Sequence, residues 1–134
     1  MNTTYFLNVV AGNVLKTKSI PALPTKFYLG LSSTAPNLDG TGATEPATSA
    51  GYKRVELTSL SEPANGVVTN DATIDFDEST ANWGTMTHFV IFDSETGGNL
   101  LMYGALSVSR TVEAATIMTI KAGSLNLSVV NPTT

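Results

Sequence analysis

Apolar side chains at Leu7, Val10, Ala11, Val14 and Leu15 recur at the three-and-four spacing of one helical face, with Thr3 or Thr4 standing where a cap belongs. The pattern predicts a short helix over residues 4–16. Gly12 and the β-branched valines weaken it. Pro21 and Pro24 then force an extended link. From Lys26 onward the period falls from helical to two. KFYLGL (26–31), YKRVEL (52–57), VVT (67–69), ATIDF (72–76), TMTHFVIF (85–92), LLMYGALSV (100–108), TIMTI (116–120) and LNLSVV (125–130) read as seven or eight short strands. Asn70-Asp71, the DSETGGN turn and KAGS supply the bends between them. Strands at intervals of about ten residues predict a mainly β fold. We expect an antiparallel β-sandwich or barrel-like domain with one short N-terminal helix, and a single domain over residues 1–134.

The segment at 85–92 is the strongest strand. By parity Met86, His88, Val90 and Phe92 point one way, and Thr87, Phe89 and Ile91 the other. Both faces are largely apolar, which suits a central strand covered on both sides. Trp83, His88, Phe89, Ile91, Phe92 and Tyr103 are expected in one core. The segment from Ser32 to Gly51 has almost nothing to bury. A loop of that length inside a compact domain is either functional or a loose insertion.

Composition sharpens the picture. Charged residues make up 13% of the chain, about half the usual share, while there are 20 Thr and 12 Ser. The polar surface is therefore built of hydroxyls, and threonine suits a pleated, half-exposed surface. The formal net charge is −4. With the few basic residues scattered, this argues against nucleic acid, whose phosphates demand clustered Lys and Arg, and against an anionic membrane surface. There is no cysteine, so stability must come from packing or from partner chains. The N-terminus lacks the basic start of a signal peptide, and no segment approaches the roughly 18 apolar residues of a membrane span. A soluble protein made in the cytoplasm is expected.

Candidate chemistry is sparse. His88 is the only histidine, so a zinc site has too few ligands of the usual kind. No G-x-S-x-G elbow is present for a serine nucleophile. His88 reads as a core or interface residue held by hydrogen bonds. Two acidic groupings, Asp71, Asp75, Asp77 with Glu78, and Asp93, Glu95 with Asn99, could offer oxygens to Ca²⁺. Neither has EF-hand spacing, and the first fits a solvated strand face. No catalytic residue, cofactor or metal is expected.

The run from Trp83 to Leu106 carries a longer signal, of the form W-G-T-x-T-H-F-x-I-F-D-x-x-T-G-G-N-L-L-x-Y-G-A-L. Together with Arg110-Thr111-Val112, Ala122-Gly123-Ser124-Leu125, the Phe27–Pro36 strand and turn, and Gly51-Tyr52-Lys53-Arg54, it resembles a family of small tailed-bacteriophage virion proteins, usually labelled tail-fibre-like or structural. The resemblance implies a virion surface component that contacts other virion proteins. A single free-standing domain favours capsid decoration, reinforcing the head through the major capsid protein. The alternative is a tail fibre or baseplate component involved in host adsorption. Either case suits a homo-oligomer, with a trimer expected. Tyr5, Phe6 and Ile20, with Thr34, Pro36 and Thr41 in the loop, are the candidate interface residues. Otherwise the apolar ones pack on the chain's own sheet.

Overall fold

The computed structural model describes residues 1–16 and 21–128. Helix α1 spans Thr4–Leu15. Eight strands follow: β1 (Tyr28–Ser32), β2 (Val55–Glu56), β3 (Val67–Thr69), β4 (Ile74–Asp75), β5 (Gly84–Phe92), β6 (Leu100–Val112), β7 (Thr119–Ile120) and β8 (Asn126–Ser128). The fold is mainly β with one short N-terminal helix, and every strand pairing is antiparallel. Its centre is a four-stranded sheet in the order β2-β1-β5-β6. A second broad sheet is replaced by two two-stranded ribbons, β3-β8 and β4-β7.

The β5–β6 hairpin organises the sheet, and it is doubly irregular. Between Met86 and His88, β5 advances two residues while β6 runs from Arg110 to Ala105, and a second slip falls between Ile91 and Phe92. Extra residues of this kind bend a strand and break the simple alternation of its faces. Met86 consequently joins the cluster of Ile91, not that of Val90, as strict parity had it.

The expected single core is two clusters. The larger gathers Phe6, Leu29, Leu31, Phe76, Trp83, Met86, Ile91 and Met102, with Phe89 packed against it. The smaller holds Val90, Phe92 and Leu100, with Ala43 and Tyr103 against it. Ile91 and Phe92, neighbours on β5, face opposite ways and fall in different clusters. Trp83 is held by its ring N–H, which donates to the Ala50 carbonyl at 2.9 Å. It meets the Tyr52 ring edge-on at 5.4 Å. His88 is half-buried rather than in the core, beside the bulge, with Nδ1 2.8 Å from Thr87 Oγ1.

The loop after β1 covers the smaller cluster through Ala43. Its own hydroxyls fold it. Ser32 Oγ accepts from the Thr44 and Thr34 amides at 2.9 and 3.2 Å, and Thr34 Oγ1 donates to the Gly42 carbonyl at 2.6 Å. At the tip, Asp39 accepts from the Thr41 amide and hydroxyl at 3.0 and 2.6 Å. Thr41's hydroxyl, and after it the backbone, hold the Asp39 carboxyl below the ordinary aspartate value.

The first residues of the chain lie beside β6. The Thr3 amide donates to the Leu101 carbonyl at 2.9 Å, and the Tyr103 amide to the Met1 carbonyl at 2.9 Å. Thr3 is fully buried. Its hydroxyl donates to Leu100 O at 2.7 Å and accepts from the Phe6 amide at 3.3 Å, capping α1. The Asn2 side chain donates through Nδ2 to the Ser128 carbonyl at 3.1 Å.

Fixed this way, α1 turns an unexpected face inward. Phe6, Val9 and Gly12 are buried. Of the stripe read from the sequence, Val10 is half-buried and Leu7, Ala11, Val14 and Leu15 are exposed. Periodicity locates an apolar stripe but not the side on which the core lies. Here the Thr3 cap and the bulk of Phe6 set the rotation.

Candidate functional site

Three features of the surface are built rather than incidental: a polar knot that fixes the loop, the outward face of α1, and a groove beside β6.

The knot joins three segments that are far apart in sequence. Arg54 comes from the strand-like run leading into β2, Glu45 from the end of the loop, and Ser94 and Gly97 from the β5–β6 turn. Arg54 Nη2 donates to Glu45 Oε1 at 2.6 Å and Nε to Glu45 Oε2 at 3.0 Å. Nη1 donates to the carbonyls of Ser94 and Gly97 at 2.8 and 2.7 Å. The guanidinium lies 3.5 Å over the Phe92 ring. The planar fork thus satisfies a carboxylate, two carbonyls and an aromatic face at once, which a lysine could not do. The pair is well shielded, with the side chains of Arg54 and Glu45 exposed by 9% and 19%. Tyr52 completes the knot. Its hydroxyl donates to Glu45 and accepts from the Leu31 amide at 3.0 Å. Burial, and then the Glu45 carboxylate, push its pKa well above the ordinary tyrosine value. Two glycines make room. A Cβ on Gly30 would lie 2.5 Å from the Tyr52 hydroxyl. Gly98 sits at φ +76, where a Cβ would come within 2.5 Å of the Asp93 carboxylate that closes the turn onto Asn99.

The groove, of about 420 Å³, lies along the bulged part of β6. Phe89, Leu106, Val108, Ile117 and Met118 line it, and Val108 and Ile117 are 63% and 55% exposed.

The residues expected to form an interface are scattered among these features. Phe6 is 8% exposed and belongs to the main core, because it lies on the face of α1 that Thr3 clamps down. Tyr5 is half-buried and packs against that same core. Pro36 is buried under the loop, while Thr34 and Thr41 are exposed but bonded within the loop. Ile20 lies outside the described residues. The acidic groupings do not converge. Asp75 accepts from the Thr119 hydroxyl at 2.7 Å, Asp93 holds Asn99 at 2.8 Å, and Glu95 faces Lys53 at 3.4 Å. Among the described residues no group of three or more His, Asp or Glu is placed to hold a metal ion. No helix among them is long and apolar enough to cross a membrane.

Sequence reading missed the knot. Its members stand in the sequence as Gly51-Tyr52-Lys53-Arg54 and the Thr96-Gly97-Gly98 turn, but nothing in the order of residues says that Arg54 reaches that turn. A family model described as Gp80, podophage GP4 fiber I protein gp80, matches residues 2–128. The chain belongs to this family. A search of curated proteins finds no match. Membership in the fiber I family makes the chain a phage virion structural protein. The matched span takes in the capped helix, the loop, the knot and both ribbons.

Proposed function

We propose that the chain is a structural subunit of a tail fibre, working as a symmetric oligomer, with a trimer expected, attached to neighbouring virion proteins. The observation that carries this reading is the fiber I family match over residues 2–128. Capsid decoration, favoured from the sequence because the chain reads as one free-standing domain, yields to it, since the family's description names a fibre. The structure supports a scaffold role through the way its polar groups are spent. Loop hydroxyls, Arg54 and Glu45 all serve to hold one surface rigid. Host adsorption through that surface, and a structural role in place of catalysis, are part of the proposal.

Copy number in purified particles is the test. A tail fibre is present in a few to dozens of copies, whereas a head lattice requires on the order of hundreds. Quantitative mass spectrometry against the major capsid protein, with a particle reconstruction to place the density, separates the two. A head-lattice copy number overturns the tail-fibre reading.

A further inference from the structure

Among the described residues, eight large apolar side chains are about half exposed or more. Three of them, Leu7, Val14 and Leu15, are on α1. Two more stand beside it. Leu38 follows from the loop, whose carbonyl accepts from the Thr4 amide at 2.9 Å. Leu23 lines a cleft with Tyr5. Single exposed apolar residues need no explanation, but a concentration of them marks a contact. The helix cannot roll to bury this stripe. Its inward face is already filled by Phe6 and Val9, and its start is pinned by Thr3.

We propose that the outward stripe of α1, formed by Thr4, Leu7, Ala11 and Val14, is the seam along which copies of this chain meet, helix against helix about a shared rotation axis. Two observations choose a second copy over an unrelated partner. The first is spacing. Residues 4, 7, 11 and 14 alternate steps of three and four, the repeat that lets identical helices interlock side chain into gap. Val9, at 1% exposure, lies on the opposite side of α1, against the chain's own core. The helix therefore has one face for its own fold and a second that the monomer leaves unused. The second observation is charge. Rotation symmetry sets each side chain near its own image, so an ionised residue at the axis would meet a like charge. Residues 1–15 contain no charged side chain, and the first, Lys16, comes after the helix ends. Small residues at Thr4 and Ala11 alternate with larger ones at Leu7 and Val14, which allows close approach. A helix of this length extends about 18 Å. That is short of the roughly 800 Å² per partner of a standard interface, and Leu38, held against Thr4, enlarges the contact.

This inference deepens the fibre reading and rests on it for the expectation of symmetric copies. A fibre subunit could still assemble through another face, so the two fail separately. Copy number tests the fibre, and sedimentation tests the seam. In analytical ultracentrifugation at high micromolar concentration, the full chain is expected to sediment at a multiple of its 14.0 kDa mass. The pair Leu7→Glu with Val14→Glu is expected to sediment at 14.0 kDa, with an unchanged far-UV spectrum. Ala11→Lys, a good helix former at an exposed position, should do the same and covers the case in which the double variant loses its fold. Val108→Glu, in the groove beside β6, should leave the oligomer intact. A monomeric wild type overturns the seam. So does an oligomer that survives the α1 substitutions, or one that dissolves only on Val108→Glu.

Discussion

Arg54 is the residue on which the loop, the sheet edge and the β5–β6 turn agree. Removing one partner of a shielded ion pair leaves the other charge without compensation, which costs about 3–5 kcal/mol. Arg54→Met and Glu45→Gln should each lower stability by about that much in denaturant titrations, with the double variant falling well short of the sum because both remove the same contact. Gly30→Ala would drive a methyl into the Tyr52 hydroxyl and Val90 and should cost about 1–3 kcal/mol, the usual range for overpacking. Tyr52 gives a pH signature. Its folded pKa is raised, so its contribution is full below the unfolded tyrosine value of about 10 and is lost as pH rises further. Melting temperature should stay level into mild alkali and then fall. In Tyr52→Phe the alkaline fall should be shallower, from a lower starting point. An equally steep fall in the variant would assign the transition to another group.

At the scale of elements, α1 depends on Thr3 for both its cap and its attachment to β6. Thr3→Val keeps the shape but removes the hydroxyl that serves Leu100 and Phe6, and should cost about 1–2 kcal/mol. Amide exchange should accelerate across residues 4–12 while the β5 amides stay protected. Uniform acceleration would show that the helix and the sheet open together. The helix itself was legible from its spacing, as were the existence and order of the strands. What was not legible had a common cause, the action of groups remote in sequence. The rotation of α1 is set by Thr3 meeting Leu100. The placing of Met86 with Ile91 follows from register slips in β6 that the residues of β5 cannot report. The corner at Asn70 was readable as a turn. Its buried amide, however, accepts from Leu125 at 2.9 Å and donates to Lys121 at 2.9 Å, tying β3 to the KAGS turn in a way no local pattern announces. The loop at 32–51 read as either functional or a loose insertion because its chemistry is hydroxyl to backbone, which leaves no hydrophobic trace.

For the whole molecule, low charge has a consequence for attachment. Two of the three ion pairs among the described residues, Lys26–Glu56 and Lys53–Glu95, are solvent-exposed, and such pairs contribute little. Contacts with other virion proteins should then resist salt. Washing particles at about 1 M salt, where the Debye length is about 3 Å, should leave the protein bound. Release into the supernatant would show that the contact is electrostatic. The meeting of Asn2 with Ser128 has a different consequence. It makes the described backbone nearly a closed ring, and a ring has no preferred place to be cut. Joining Ser128 to Met1 through a short flexible linker and opening the chain in the exposed turn between Asp93 and Asn99 rearranges the order of the elements while keeping the strand pairings. Connections and ends at the surface tolerate such rewiring. The permuted chain should refold to the same β-rich spectrum, with a melting temperature lowered chiefly by the loss of the Arg54 contacts to Ser94 and Gly97. In that form the new ends would emerge beside Arg54, a point from which a cargo could be carried away from α1.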